Sequence, residues 1–352
     1  MRRANRLLHP RMMLFASIFL MMFLLFRNAF VVVDLPPSSP DGLHDKNLKN
    51  FVQPVVGKVE TSNTTLLPND PLWRGKESKK ELPSFENGGL VFFLHIPKTG
   101  GSTIRSSFDQ MKGVQYIFVS GNGIYENALP IIWKYVKSTS KQRRDIMFLE
   151  IHGRDSPNLI VLRDTLLQWK RIAKKHGLPV FFFTVVREPL AHALSYFNFF
   201  HVQRKSPYFD QVEANESNLL RYSLHDPQCQ FLARGEFSLR EKTKQQPSRE
   251  ECRSVHEALL GTMDWVGTTE RMDSETLPIL KHIFNLGGFR FQKQRVSSKA
   301  ANLSISIQEL SEQAVSSLNE LNKMDINLYE GLQSEFLFSM WREYAAAPIY
   351  QE

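Results

Sequence analysis

Leu90-Val-Phe-Phe-Leu-His-Ile-Pro-Lys-Thr-Gly-Gly-Ser-Thr-Ile104 decides the fold, because it runs from a buried strand through a glycine turn into a helix start. Leu90 to Leu94 is a short apolar, aromatic-rich run behind Gly88 and Gly89, as a central strand reads. Pro97 ends it, since proline donates nothing to a ladder. Gly100 and Gly101 let backbone N–H groups approach an anion, and Ser102 or Thr103 can cap the helix that follows. A helix start with free N–H groups sits at the positive end of the helix dipole and attracts anions, and Lys98 adds a mobile positive charge. The P-loop of nucleotide triphosphatases carries its lysine after the glycines. Here the lysine comes first, which argues against an ATPase or a kinase. Taken alone, the stretch is equally a lysine-bearing turn with no ligand.

Working outward, the 352 residues are 42% hydrophobic, enough for a sizeable core. The net charge of +8 suits anionic ligands but does not choose among nucleic acid, membrane and acidic polysaccharide. No zinc-finger spacing or RNA-binding signature is present, so no nucleic-acid partner is expected. Residues 1–11 hold Arg2, Arg3, Arg6 and Arg11 and no acid, as a cytoplasmic tail would. Residues 12–33 are apolar apart from Arg27 and Asn28 and match one membrane-spanning helix. A cleaved signal peptide competes with that reading, but no clear small-x-small site follows, and an uncleaved type II anchor is favoured. Residues 34–88 are polar and proline-bearing and read as a flexible lumenal stem. Residues 89–352 are left for one catalytic domain.

Asn63-Thr-Thr65, Asn215-Glu-Ser217 and Asn302-Leu-Ser304 are glycosylation sequons that matter only in the secretory path. Cys229 and Cys252 can pair in an oxidising lumen across a polar, loop-like segment, worth about 3 kcal/mol in the chain-entropy model. Two separate buried thiols are the alternative, and zinc is disfavoured for want of ligands at finger spacing.

Strands are expected at 90–94, 114–119, 145–151, 179–186 and 265–268. Helices are expected at 102–111, 125–136, 161–176, 188–202 and 274–284. Residues 203–260 read as helical or irregular, and a C-terminal helix at 307–344 breaks near Asn327. The alternation predicts an α/β fold, a P-loop-like parallel sheet flanked by helices, with ligands at the carboxyl ends of its strands.

A second loop answers the first. The run ending at Val186 continues as Arg187-Glu-Pro-Leu-Ala-His-Ala-Leu-Ser195. Pro189 suits a first helical turn, and Ser195 then lies two turns along on the face of Arg187. Such an arginine and hydroxyl can grip one phosphate together. The strand Asp145-Ile-Met-Phe-Leu-Glu-Ile-His152 ends in two proton-accepting groups, Glu150 and His152, on one face. A neutral histidine works near neutral pH without a raised pKa, which favours His152.

These stretches resemble the sulfotransferases that use 3′-phosphoadenosine 5′-phosphosulfate (PAPS), in their Golgi carbohydrate branch. His95-Ile-Pro-Lys-Thr-Gly-Gly-Ser-Thr103 is similar to their 5′-phosphosulfate loop, and the Arg187 to Ser195 spacing to their 3′-phosphate motif. Asp264-Trp-Val-Gly-Thr-Thr-Glu-Arg271 and Met324-Asp-Ile-Asn-Leu-Tyr-Glu330 look like two further family segments, so the resemblance covers about residues 90–335.

The resemblance implies PAPS as co-substrate and no metal. It implies Lys98, Thr99, Gly100, Gly101, Ser102 and Thr103 on the phosphosulfate and Arg187 and Ser195 on the 3′-phosphate. Arg295-Val-Ser-Ser-Lys-Ala-Ala301 falls where the family has a basic loop over the nucleotide, which adds Ser298 and Lys299. Lys98 would steady the leaving group. In the uronyl and heparan sulfate 2-O-sulfotransferases, which the chain looks like, a histidine of an HGH-type segment is the base. Here Arg154 replaces the second histidine, so His152 and Glu150 both stay open as the base. The expected enzyme is a Golgi type II membrane protein acting on a glycan or acidic polysaccharide, with homo-oligomerisation left open.

Lys170-Arg-Ile-Ala-Lys-Lys175 and Lys141-Gln-Arg-Arg144 are basic runs that could meet that polysaccharide. A Golgi glycosyltransferase shares the anchor and stem, but the chain holds no Asp-x-Asp triplet. A catalytically inactive binding protein that keeps the fold is the remaining alternative.

Overall fold

Burial along nearly the whole length of the central strands, with successive side chains facing opposite cores, explains how one sheet carries helices on both faces. The computed structural model describes residues 84–109, 111–138, 145–152, 157–203, 209–235, 246–284 and 304–334. All of them fall within one unit, Glu77–Glu352. The expected tail, the anchor at 12–33, nearly all of the stem, Lys141–Arg144, Arg154, Ser298, Lys299, Asn63 and Asn302 lie outside the described residues. Among the described residues no helix is long and apolar enough to cross a membrane.

Five strands, β1 (Gly89–His95), β2 (Val114–Val119), β3 (Ile146–His152), β4 (Val180–Val186) and β5 (Trp265–Thr268), pair in the order β2-β3-β1-β4-β5. Every pair is parallel. Leu90, Phe92 and Leu94 of β1 face one core with Met147 and Leu149. Val91 and Phe93 face the other with Phe148, Phe181 and Phe183. The rings of Phe93 and Phe183 stack 4.6 Å apart. Each fully buried aromatic ring of this kind contributes roughly 1.5–3 kcal/mol.

The second face is closed by α1 (Gly101–Phe108), through Ile104 and Phe108, and by α8 (Leu277–Ile283). The first face is covered by α2 (Asn122–Lys137), α3 (Leu159–Lys175), α6 (Pro227–Arg234), α7 (Arg249–Thr262) and α10 (Lys323–Ser334). The intervening helices are α4 (Pro189–Phe197), α5 (Glu216–Tyr222) and α9 (Glu312–Leu321). The chain leaves β1 toward β2 and crosses back from β3 to β4, so the winding reverses between β1 and β4. Open parallel sheets hold ligands at that point, beyond the strands' carboxyl ends. Lys98 follows β1 and Arg187 follows β4.

Several expectations need adjustment. The helix expected at 188–202 is α-helical only to Phe197 and continues as a π-helix, Asn198–Gln203. The C-terminal helix breaks at Asn322, between α9 and α10, rather than near Asn327. Asn322 donates its side-chain amide back to the Leu318 carbonyl and stops that helix five residues earlier than expected. Cys229 and Cys252 are bridged, with 5.5 Å between Cα atoms. They sit on two packed helices, both buried.

The basic run 170–175 forms the last part of α3. Lys170 is paired with Asp264 at 2.7 Å. Lys174 and Lys175 end α3, which runs away from the carboxyl end of β3, so they lie at the far edge of the sheet from the two loops.

Candidate active site

The loop after β1 is held by its carbonyl groups. Thr99 Oγ1 donates to the Ile96 carbonyl at 2.8 Å, and His192 Nε2 donates to the Pro97 carbonyl at 2.9 Å. Arg187 Nη1 donates to the Lys98 carbonyl at 3.1 Å, and Thr269 Oγ1 to the Thr99 carbonyl at 2.9 Å. Four successive carbonyl oxygens are thus taken by the protein. Consecutive backbone N–H groups in such a turn make a concave anion site.

Lys98 has φ +70° and Gly100 φ +88°. The left-handed conformation costs a lysine on the order of 1–3 kcal/mol and a glycine almost nothing. The Lys98 ammonium lies 3.7 Å from the centre of the Phe199 ring, on the π-helix.

Gly100, not Ser102 or Thr103, is the N-cap of α1, and no side chain caps it. The left-handed turn brings the helix start forward, so Ser102 and Thr103 fall in the first turn, Ser102 exposed and Thr103 partly so. The start of α4 is built the opposite way. Glu188 accepts from the N–H groups of Leu190 and Ala191, at 3.0 and 2.6 Å. An anion is therefore welcome at the first helix start and opposed at the second, where Arg187 and the half-buried Ser195 supply side chains instead. The Nε of Arg187 is buried with no hydrogen-bond partner. An orphaned guanidinium donor beside the loop fits a phosphate oxygen. Thr99 is different: fully buried, with its hydroxyl turned inward, it can offer a ligand only backbone.

Glu150 and His152 do lie on one face, yet their surroundings separate them. Glu150 is fully buried and receives His95 Nδ1 at 2.6 Å, Arg105 Nε at 3.1 Å, Arg105 Nη2 and the Tyr116 hydroxyl. Burial pushes its carboxyl upward, but the hydrogen bonds and charges of His95 and Arg105 outweigh that and hold it at about 2. Burial also keeps His95 below its ordinary value, so the lasting cation beside Glu150 is Arg105.

His152 stacks on His95 with ring centres 4.0 Å apart, and its Nδ1 lies 3.0 Å from the His95 carbonyl. A carbonyl only accepts, so Nδ1 carries the proton and Nε2 the lone pair. Burial, with the positive charge of Arg105 nearby, depresses His152 to about 3, which keeps the ring neutral.

His95, Glu150 and His152 bring ligand-type atoms within 4.8 Å of one another. Their geometry is poor for a cation. Glu150 already bears a guanidinium, and two rings stacked at 20° direct their lone pairs side by side rather than at one centre.

Sequence reasoning overlooked Arg105, Tyr116, His192, Phe199, Gln228 and Thr269. His192 left a trace as a lone histidine within the apolar stretch Leu190 to Phe197. Thr269 left another, inside the family-like segment Asp264 to Arg271, and the rest left none, because their partners are distant in sequence. The family-like segments act as pins: Asp264 accepts from Phe182 N at 2.8 Å, and Glu270 joins Glu188 N at 3.2 Å to the Tyr329 hydroxyl at 3.1 Å.

No protein-family model and no curated protein matches the chain. Among solved structures, mouse sulfotransferase SULT7A1 complexed with PAP is similar at 13% identity and TM-score 0.34, over 74% of this chain and 90% of that one. The Deinococcus radiodurans tunicamycin resistance protein is similar at 10% identity and TM-score 0.22, over 49% and 94%. Both superpositions are too loose to argue a shared fold.

Proposed function

We propose that the chain transfers the sulfuryl group of PAPS to a hydroxyl of a glycan, in the Golgi lumen, held to the membrane by its N-terminal segment. The observation that carries the reading is the loop 96–99, its four carbonyls tied to the protein beside an uncapped helix start, with the orphaned Arg187 donor next to it. Two anion-binding loops at the reversal point of a parallel sheet suit a nucleotide bearing phosphate groups at both ends.

The residues present fit such a nucleotide. The N–H groups from Gly100 onward and Lys98 would hold the 5′-phosphosulfate, and Arg187 with Ser195 the 3′-phosphate. His152 Nε2 takes the proton from the acceptor hydroxyl. As the new oxygen–sulfur bond forms, the sulfur–oxygen bond to the phosphate breaks, and Lys98 stabilises the electron pair that stays on the phosphate oxygen. An anion bound beside His152 raises its affinity for that proton, offsetting the depression by burial. Glu150 orients His95 and, through it, His152. A glycan with acidic groups suits the net charge of +8.

The test is turnover of PAPS by the full chain against a panel of sulfated and unsulfated glycans. Lys98→Ala and His152→Ala are both expected to lose turnover, His152→Ala by about 100- to 10,000-fold. His152→Ala should still bind the product 3′-phosphoadenosine 5′-phosphate (PAP) in calorimetry. A wild-type chain that binds no PAP overturns the reading.

A further inference from the structure

Arg187 is held by its backbone as well as used through its side chain. Gln228, 41 residues away and 2% exposed, accepts from Arg187 N through Oε1 at 2.8 Å. Its Nε2 donates to the Arg187 carbonyl, also at 2.8 Å. The side-chain amide thus exchanges two hydrogen bonds with one residue, as a partner strand would. It does so one residue beyond the last rung of the sheet on β5, where Val186 faces Thr268.

Gln228 is in turn immobilised. Asp325 accepts from Gln228 N at 2.9 Å and from Cys229 N at 2.7 Å. Asp226 returns the arrangement by accepting from Met324 N and Asp325 N, so α6 and α10 cap each other. The Cys229–Cys252 bridge ties the same turn to α7. Beyond Arg187 the line continues to the lysine loop, through Nη1 and the Lys98 carbonyl.

We infer that Gln228 is a positioning residue for the 3′-phosphate: it fixes the backbone of Arg187, so that one edge of the guanidinium braces the Lys98 loop while Nε stays turned to the phosphate. The inference rests on the sulfotransferase reading of Arg187. Gln228 touches neither nucleotide nor acceptor. Its loss is therefore felt wherever Arg187 is used and nowhere else.

Calorimetry on the full chain with two probes, PAP and adenosine 5′-phosphate, separates this from a general structural role, because only PAP carries the 3′-phosphate. Gln228→Met keeps the length and removes both hydrogen bonds. It is expected to weaken PAP about tenfold and adenosine 5′-phosphate by clearly less. Arg187→Ala should likewise weaken PAP more than adenosine 5′-phosphate, which loses only the brace on the Lys98 carbonyl. The double variant should bind PAP no worse than Arg187→Ala alone, since both act on one contact. Gln228→Glu keeps the acceptor for Arg187 N but sets a second acceptor against the carbonyl; it should show at least as large a loss in the same direction, and it carries the test if the methionine variant does not fold.

Equal weakening of both nucleotides, an unchanged preference for PAP, or additive losses in the double variant overturns the inference while leaving the proposed reaction standing. A wild-type chain with no preference for PAP over adenosine 5′-phosphate overturns the phosphate reading of Arg187, and the inference with it.

Discussion

At the scale of single residues, two proton-accepting groups two positions apart have acquired different work through burial. Glu150 ends inside a closed set of donors, whereas the contact of His152 Nδ1 with the His95 carbonyl sets its tautomer and leaves the lone pair on Nε2. Glu150→Gln removes the charge that Arg105 faces. Breaking such a buried pair costs about 3 kcal/mol here, the lower end of the usual range because Arg105 keeps 31% of its side chain in solvent. Denaturant unfolding checks this: a variant as stable as wild type but without turnover would make Glu150 the base instead. Both groups were legible as candidates from strand alternation. Their division of labour was not, since Arg105 and Tyr116 approach from another helix and another strand.

At the scale of elements, the π-helix Asn198–Gln203 is the departure with a consequence. One residue more per turn turns Phe199 under the Lys98 ammonium, four residues beyond Ser195. A desolvated cation over an aromatic face gains roughly 0.5–2 kcal/mol. Phe199→Leu should therefore lower turnover by about 3- to 30-fold, while Phe199→Tyr, which keeps the ring face, should stay close to wild type. Steady-state kinetics at saturating PAPS decides the matter, and equal losses in the two variants would show that only the volume of the ring counts. Periodicity read this whole stretch as one helix, because a widened turn preserves the apolar spacing on either side of it.

At the scale of the whole molecule, buried groups set the response to pH. His192 is fully buried, donates to the Pro97 carbonyl and is depressed by burial to about 4 from an ordinary 6.5. His152 is depressed in the same direction. A depressed group contributes stability that is complete above the unfolded value and lost as pH falls toward the folded one. Stability should thus decline below pH 6.5, by at most about 1.4 kcal/mol per pH unit for each proton taken up. Asp325 opposes this, because burial raises it to about 7 from 3.8 and its contribution is lost as pH rises through that window. His192→Gln, which keeps an N–H for Pro97, should flatten the slope between pH 4 and 6.5 in denaturant titrations. An unchanged slope there would assign the acid loss to other groups.

Strand positions, the two strand-to-helix loops and the face shared by Glu150 and His152 were all determined by the sequence itself. They depend on local sterics, on glycine at Gly100, and on the period-two facing of strand side chains, each of which a short stretch carries complete. The strand order, the brace of four carbonyls on the lysine loop, the enclosure of Glu150 and the clamp of Gln228 on Arg187 were decided only by tertiary structure. Apart from the local Thr99–Ile96 bond, each joins residues 34 to 170 positions apart or depends on which strand lies beside which, and contacts of that length arise only when the chain closes on itself.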